Sequence, residues 1–366
     1  MRLVLLGLLI LISVSTFSQN RLKPGFDARE YLALFSLARG RVAFSDSVHK
    51  KEGLTYKQVY RSPEVGLKNR WSFFRRSDGV GIIDIRGTVA DQTSWLANFY
   101  AAMIPANGTL HLTDSTLFHY KFASDDKAAV HTGWAVSLGF MAADMLQKIK
   151  EHYTLGMREF FIFGHSQGGA IAFLTTSYLL HLQQDGQLPK DIRFKTYCSA
   201  GPKPGNMNYA YDYEFMTRGG WAFNVVNAAD WVPESPYTVQ TLQDMHEINP
   251  LLHTKGMLQK QNLLVRMVGN RAFRRFSNRP RKLQQKYTNL FGNTLYNFAI
   301  KKAIQQYQKP DYFASSNYMR AGVPIVLIPD EEYHQQFKFD ENKKDYFVHH
   351  HFAAYLYLIK KYYLNQ

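Results

Sequence analysis

The segment FIFGHSQGGA, residues 161–170, constrains the fold of this chain more than any other stretch of its sequence. An apolar run typical of a buried strand leads into Gly164, and a run typical of a helix starts at Ser166. Gly168 and Gly169 follow, and glycine lets a backbone bend or approach another backbone where a side chain would clash. The pattern predicts a strand, a sharp turn and a helix, with Ser166 raised at the turn.

Strand-like and helix-like segments alternate along most of the remaining chain. Short apolar runs rich in β-branched and aromatic residues predict strands at 80–88, 158–164, 192–200, 221–230 and 321–330. Apolar residues at helical spacing predict helices at 26–40, 91–103, 133–153, 166–183 and 351–363. Residues 106–122 fit a loop or a hairpin. This alternation predicts an α/β protein with a mostly parallel central sheet and helices on both faces.

The amino terminus has the pattern of a secretory signal peptide. Arg2 precedes an apolar run over residues 3–14, and small residues stand at the −3 and −1 positions of a cleavage site after Ser18. The run is too short to span a bilayer, and a buried helix would need a polar face that it lacks. We therefore expect residues 1–18 to be removed and residues 19–366 to form a secreted or periplasmic protein.

The chain carries a net charge of +15, and much of the excess lies in the stretch 270–287. From about 240 to 316 the pattern is basic, helical and aromatic, which predicts a helical cap or insertion on the sheet domain. Basic clusters bind nucleic acids or anionic surfaces. Because the sequence has no recognisable nucleic-acid module, we expect no nucleic acid partner. Two interpretations stay open, a solvated helical face and a face that binds an anionic membrane or lipid surface.

Cys198 is the one cysteine of the chain, so no intrachain disulfide can form. Its position near the end of the predicted strand 192–200 favours a buried, inert thiol. A nucleophilic cysteine would need an activating partner close by, and Ser166 is the better candidate nucleophile.

Ser166 is the centre of a G-x-S-x-G motif with Gly164 and Gly168, between a predicted strand and a predicted helix. In this context the turn lifts the hydroxyl above the sheet, and the helix amino terminus points at any anion formed there. A serine hydroxyl is a poor nucleophile until a base takes its proton. In α/β-hydrolases an acid and then a histidine follow the serine along the chain.

Asp230 and a carboxyl-terminal histidine are the candidates for these two roles. Asp230 ends the predicted strand 221–230, although an aspartate shortly before Pro233 also suits a plain turn. The run VHHHF at 348–352 supplies the histidine. Three histidines can also belong to a metal cluster, but adjacent side chains point in different directions and no cysteine or close acidic pair completes a site. We therefore expect no metal.

Six segments of the chain resemble, in the same order, those of the class 3 lipases, the family of the filamentous-fungal triacylglycerol lipases. They are IRGTVADQTSWLANF (85–99), VHTGW (130–134), FIFGHSQGGA (161–170), YCSAGPKPGN (197–206), NVVNAADWVPESP (224–236) and HHFAAYL (350–356). The resemblance implies an α/β-hydrolase fold and hydrolysis of carboxylic esters through an acyl-enzyme. It implies no cofactor.

The resemblance also implies a role for individual residues. Ser166 matches the nucleophile, Asp230 the acid and a carboxyl-terminal histidine the base. Thr88 matches the oxyanion-hole residue whose hydroxyl adds to its N–H, and Gln167 supplies the second N–H. The strand-end turn at Gly87 and Thr88 lies upstream of the serine, as a second oxyanion donor requires.

The residues alone do not decide which of His349, His350 and His351 is the base. Successive helical residues point about 100° apart, so at most one of them can face Ser166. The register H-x-x-x-x-Y-L of the resembling family selects His350, five residues before Tyr355, with His351 as the alternative.

Three features depart from the family pattern. Gln167 stands where many members have Leu, which keeps the backbone donor but makes the pocket more polar. The interval between Asp230 and His350 is long, at 120 residues. Arg320 stands where a histidine is frequent. These departures bear on the choice of substrate more than on the chemistry.

The sequence is thus compatible with more than one function. The first is a secreted, triacylglycerol lipase-like hydrolase of acyl-lipid esters. A phospholipase, a short-chain carboxylesterase and, more remotely, a peptidase could use the same three residues. A catalytically silent lipid- or envelope-binding module could retain the fold, but the intact set of candidate catalytic residues argues against it.

Overall fold

The computed structural model describes residues 21–40 and 53–364 of the chain. The predicted signal peptide lies outside these residues. The strands are β1 Tyr56–Arg61, β2 Trp71–Arg76, β3 Gly81–Ile85, β4 Met103–Pro105, β5 Asn107–Thr113, β6 Thr116–Lys121, β7 Ala129–His131, β8 Glu159–His165, β9 Arg193–Ser199, β10 Ala222–Asn227 and β11 Val323–Leu327.

The α-helices alternate with these strands over much of the chain. They are α1 Ala28–Ala38, α2 Gln92–Phe99, α3 Thr132–Thr154, α4 Gln167–Gln184, α5 Met207–Met216, α6 Thr254–Gln259, α7 Leu263–Thr288, α8 Lys301–Ala303, α9 Glu331–Gln336 and α10 Phe352–Ile359. Short 3-10 turns occupy Val232–Glu234 and Leu242–Asp244, and π-helical turns occupy Asn289–Thr294, Tyr296–Ile300 and Lys360–Leu364.

Seven strands form the central sheet in the order β1-β2-β3-β8-β9-β10-β11. The pairs from β3 to β11 are parallel, and β1 and β2 add an antiparallel edge. Parallel strands place their carboxyl ends at one edge of the sheet, so β3, β8 and β10 deliver the turns that follow them to the same place.

Helices cover both faces of the sheet, and successive residues of β8 alternate between the two cores. Phe160 and Ile162 pack with residues of α3 and α4 on one face. Phe161 and Phe163 pack with residues of α1 and α10 on the other face. A strand buried on both sides needs apolar residues at every position, which explains the continuous run FFIF.

The predicted fold class is confirmed. All five predicted strands and five predicted helices are present, and residues 107–121 form the β5–β6 hairpin. The sequence reading missed the two antiparallel strands β1 and β2, the short pair β4 and β7, and the helices α5 and α9. The missed strands β1 and β2 lie in residues 56–76, to which no element was assigned.

Residues 248–310, here called the basic segment, contain thirteen Lys and Arg and no Asp or Glu. Its longest element is α7, which continues through Pro280. The inward side of α7 carries Tyr287, which packs with Ala101, Met103 and Tyr318 of the sheet domain. None of the helices that the structure describes is long and apolar enough to cross a bilayer.

Candidate active site

Ser166 lies in the sharp turn between β8 and α4 with a backbone that is rare for a residue other than glycine. Its φ is 62° and its ψ is −130°. A Cβ at Gly164 would lie 2.1 Å from the Gly168 carbonyl oxygen, and one at Gly168 would lie 2.1 Å from the Ile85 carbonyl oxygen. Glycine is therefore required on both sides of the serine, and the turn matches the nucleophile elbow that the motif predicts.

Asp230 and His350 form a buried pair at the same edge of the sheet. His350 Nδ1 donates to Asp230 Oδ2 over 2.6 Å, and the Asp230 side chain is fully buried. The same oxygen accepts from the Tyr355 hydroxyl at 2.9 Å, and Oδ1 accepts from the Val232 N–H at 3.0 Å. These bonds fix the carboxylate, and the Nδ1–H bond leaves Nε2 of a neutral His350 free to accept a proton.

The two neighbouring histidines face other partners. His349 Nδ1 lies 2.9 Å from the Tyr333 hydroxyl, and the two rings stack. His351 is exposed and pairs through Nε2 with Asp345 Oδ2 at 2.9 Å. Among the three histidines, His350 is the one that the structure joins to Asp230.

Ser166 and His350 line one cavity of about 820 Å³. Thr88 and Gln167 line it as well. Its other walls are largely aromatic, formed by Trp95, Phe99, Trp134, Trp231, Tyr237, Tyr287, Phe291 and Phe347. The structure therefore brings all five predicted site residues together, four at the cavity surface and Asp230 behind His350.

Thr88 and Gln167 are linked by the side chain of Asn98 on α2. Asn98 Nδ2 donates to Thr88 Oγ1 at 2.9 Å, and Asn98 Oδ1 accepts from Gln167 Nε2 at 3.1 Å. Gln167 Nε2 also donates to the Ser94 carbonyl oxygen at 3.0 Å. Gln167 is 1% exposed, so its amide is tied to α2 and adds less polarity to the pocket surface than its sequence position predicts.

Two more motif histidines have structural positions. His131 is the N-cap of α3, accepts from the Trp134 N–H, and stacks on the Trp134 ring with centroids 3.6 Å apart. Burial lowers the pKa of His131 to about 3, so it is neutral at physiological pH. His165 is partly buried at the cavity wall and packs beside the His350 ring, with centroids 4.5 Å apart. Neither replaces His350 as the partner of Asp230.

The described residues offer neither a reactive cysteine nor a metal site. Cys198 is fully buried in β9, and burial raises the pKa of its thiol well above the ordinary value, which agrees with an inert thiol. In the part of the chain that the structure describes, no group of three His, Cys, Asp or Glu could hold a metal ion.

Sequence reasoning missed Asn98 and Tyr355 as neighbours of the site. Asn98 lies in the segment 85–99 that carries the family resemblance, but nothing in its spacing indicates that it joins Thr88 to Gln167. Tyr355 lies in the predicted helix 351–363, and its side chain is buried. Its hydroxyl bond to Asp230 spans 125 residues and has no local signal.

The central sheet is mostly parallel, and a strained turn with Ser166 ends one of its central strands. Asp230 and His350 follow Ser166 along the chain and pair with each other. These features define the α/β-hydrolase fold. Residues 82–240 match the family model described as lipase (class 3). This match covers less than half of the chain, and it supports lipase-like hydrolysis of carboxylic esters.

The chain is also similar to solved lipase structures. Lipase II from Rhizopus niveus is 19% identical over 56% of this chain and 69% of its own, with a TM-score of 0.37. M37 lipase is 16% identical over 91% of this chain and 92% of its own, with a TM-score of 0.48. The Rhizomucor miehei lipase in its propeptide complex is 20% identical over 57% and 62%, with a TM-score of 0.38. No protein of the curated set matches the sequence significantly.

Proposed function

We propose that this protein is a secreted serine hydrolase that cleaves carboxylic esters of acyl lipids through an acyl-enzyme. The observation that carries the proposal is the Asp230–His350 pair, whose histidine lines the same cavity as the strained Ser166 turn. The predicted signal peptide, residues 1–18, would direct the enzyme out of the cytoplasm before its removal.

In the first half of the reaction, His350 Nε2 takes the Ser166 hydroxyl proton while Oγ attacks the ester carbonyl. The carbonyl π electrons move to oxygen and form a tetrahedral oxyanion. Asp230 holds the His350 ring through Nδ1–H and stabilises the imidazolium that forms. The C–O bond to the alcohol then breaks, and His350 returns the proton to the leaving alcohol oxygen.

The oxyanion is stabilised by the N–H groups of Thr88 and Gln167 and by the Thr88 hydroxyl. Thr88 Oγ1 accepts from Asn98 Nδ2, so the hydroxyl proton is left to donate toward the cavity. The amino terminus of α4 adds a positive dipole end at the same position. Water then attacks the acyl-enzyme with His350 again as the base, which releases the fatty acid and frees Ser166.

The aromatic cavity walls favour an acyl chain as the group bound next to Ser166. A phospholipase or a short-chain carboxylesterase uses the same residues, and the alcohol and chain length separate these alternatives. The non-enzymatic alternative, a silent lipid- or envelope-binding module, gives no reason for the histidine of the Asp230–His350 pair to line the same cavity as Ser166.

Hydrolysis of p-nitrophenyl esters of increasing acyl length tests the proposal and reports chain preference at once. We expect turnover by the wild-type protein and a loss on the order of 10⁴-fold or more for Ser166→Ala, since the nucleophile is removed. Folding of the variant is checked by its melting temperature. Near-wild-type turnover by a folded Ser166→Ala protein would rule out the mechanism.

We also propose that residues 240–316, which contain the basic segment, form a cap that binds anionic lipid surfaces. On α7 the spacing of four, four, three and four residues gives one exposed stripe of Arg271, Arg275, Arg279, Lys282 and Lys286. None of these five forms a salt bridge with any residue that the structure describes. Unpaired, exposed cations in a row are complementary to a bilayer that contains anionic lipid.

Apolar residues extend this stripe at the start of α7. Leu264, Met267 and Val268 are each more than half exposed, on the same outward side of the helix. The inward side carries Tyr287, which lines the cavity of Ser166 together with Phe291. Binding of this helix to a lipid surface would therefore bring the cavity to the source of its substrate.

Sedimentation with phosphatidylcholine vesicles, with and without phosphatidylglycerol, tests this cap. Replacing Arg271, Arg275 and Arg279 by Glu should weaken binding to the anionic vesicles by on the order of 100-fold, and salt should weaken wild-type binding. The matched control replaces exposed Lys57, Lys150 and Lys190 by Glu, which changes net charge equally. Equal losses in both triple variants, or binding insensitive to salt, contradict the proposal and leave a solvated face.

A further inference from the structure

His165, the residue before the candidate nucleophile, is hydrogen-bonded at both ring nitrogens inside the sheet domain. Nε2 lies 3.0 Å from the backbone oxygen of His350, and Nδ1 lies 2.9 Å from the Ser199 hydroxyl. The Ser199 hydroxyl in turn lies 2.8 Å from the Tyr31 hydroxyl on α1. Two buried side chains, Tyr31 and Ser199, and the partly buried His165 thus connect the first helix to the backbone of the candidate base.

Chemistry fixes the direction of every bond in this chain. A carbonyl oxygen only accepts, so His165 Nε2 carries the proton that it donates to His350. Burial lowers the pKa of His165 well below its ordinary value, so the ring is neutral and Nδ1 has a lone pair. The Ser199 hydroxyl therefore donates to Nδ1, and the Tyr31 hydroxyl donates to Ser199.

We propose that His165, ordered by Ser199 and Tyr31, is a positioning residue that holds the backbone of His350 so that its ring faces Ser166. The inference rests on the proposed function of His350 as the base. Asp230 fixes the side chain of His350 through Nδ1, but the run before α10 has no strand to hold its backbone. Asn227 Nδ2 donates to the His349 carbonyl oxygen at 2.9 Å, and the bond from His165 adds the constraint on the His350 carbonyl oxygen itself.

Further contacts place His165 and Ser199 where they can act in this way. Its ring stacks on Phe35 of α1 with centroids 4.6 Å apart and lies against the His350 ring on the other side. The Ser199 carbonyl oxygen accepts from the Ser166 N–H at 2.9 Å. Ser199 is therefore bonded to the nucleophile through its backbone and, through His165, to the base.

A neutral His165 also suits the reaction. When His350 becomes an imidazolium, a second positive ring at this distance would repel it, whereas a neutral ring adds no such cost. A hydrogen bond to the His350 backbone, unlike one to its ring, leaves Nδ1 and Nε2 available for Asp230 and the proton of Ser166.

The test compares kcat and KM for a soluble p-nitrophenyl ester among variants of matched chemistry. His165→Phe keeps the ring packing and removes both hydrogen bonds, and we expect kcat to fall by about 10- to 100-fold with KM nearly unchanged. His165→Gln retains an amide that can donate near the position of Nε2, and it should recover most of the loss.

Tyr31→Phe and Ser199→Ala test the same chain without replacing the histidine, and smaller losses of kcat are expected. Their controls are Tyr209→Phe and Ser177→Ala, because the hydroxyls of Tyr209 and Ser177 form an equivalent buried pair 3.0 Å apart. The controls should lower the melting temperature to a similar extent and leave kcat unchanged. This pair of comparisons decides the question even if His165→Phe does not fold.

The inference is contradicted if the wild-type enzyme is active and Tyr31→Phe and Ser199→Ala keep the kcat of their controls. That result leaves the proposed function intact. A wild-type protein without esterase activity contradicts the proposed function itself, and the inference falls with it.

Discussion

Charged and polar groups are buried and hydrogen-bonded at the carboxyl edge of the sheet, whereas in the basic segment they are exposed. At the sheet edge, the Asp230 side chain is fully buried and accepts three hydrogen bonds, from His350, Tyr355 and Val232. In the basic segment, the cations of α7 are exposed and without ion pairs among the described residues, and Val268 and Phe276 are 62% and 60% exposed.

This difference indicates two kinds of task. Buried polar groups must be hydrogen-bonded, so a network such as that of Asp230 tolerates few substitutions and holds its members in one geometry. Exposed cations and apolar side chains contribute little to the stability of the fold, so they remain available to bind an external surface. Ser166 and Asp230 lie in the part of the chain matched by the family model, 82–240, and the whole basic segment lies outside it.

The largest expected effect is a loss of activity that distinguishes His350 from the two adjacent histidines. His350→Ala should lower kcat on soluble esters by on the order of 10⁴-fold, because it removes the proposed base, which is hydrogen-bonded to Asp230. His349→Ala and His351→Ala should keep most of the activity, since their partners are Tyr333 and Asp345. A dead His351→Ala enzyme beside an active His350→Ala enzyme would overturn the choice of base without removing the other two triad members.

An intermediate effect concerns the apolar start of α7. Leu264→Ser with Val268→Ser should weaken vesicle binding by about tenfold or more, because burial of apolar side chains in lipid is lost. Unlike the loss from Arg271→Glu, this loss should persist at high salt, where charges are screened. Hydrolysis of a soluble ester should not change in either variant. A fall in soluble-ester kcat would mean that the two regions are not separate.

The smallest expected effect is on stability in the core of the sheet. Burial raises the pKa of the Asp84 carboxyl on β3 from 3.8 to about 7. Folded Asp84 thus keeps its proton to higher pH than unfolded Asp84, and stability falls as pH rises from about 4 to about 7. Asp84→Asn cannot ionise, so its melting temperature relative to wild type should rise across this window by a few degrees. A difference that is constant with pH would contradict the burial effect.

The sequence predicted the elements whose signal is local. The run FFIF in β8 and the glycines beside Ser166 follow from burial on both faces and from close backbone contact, and both can be read from neighbouring residues. The strand β2, WSFFRR, was missed although five of its six residues pair with β3. The last residue of the strand, Arg76, is charged, so the sequence pattern does not predict that it is buried. In the folded protein its charge is paired with Asp78.

Long-range polar contacts could not be read from the sequence. The choice of His350 came from a family register, and the residues left three histidines equivalent until Asp230 lay beside one of them. The chain from Tyr31 to His350 joins α1, β9 and the loop before α10, and no local pattern links these segments. Such contacts form only where the order of the strands in the sheet brings distant segments together.

The central claim is that Ser166, activated by His350, is the nucleophile, and covalent labelling tests it most directly. A fluorophosphonate ester reacts with a serine only when a base activates the hydroxyl and an oxyanion site accepts the charge. Mass spectrometry of the digested wild-type protein should reveal one adduct, on the peptide that carries Ser166, and His350→Ala should abolish it. A folded wild-type protein that stays unlabelled, or one labelled elsewhere with Ser166 unmodified, would contradict the account.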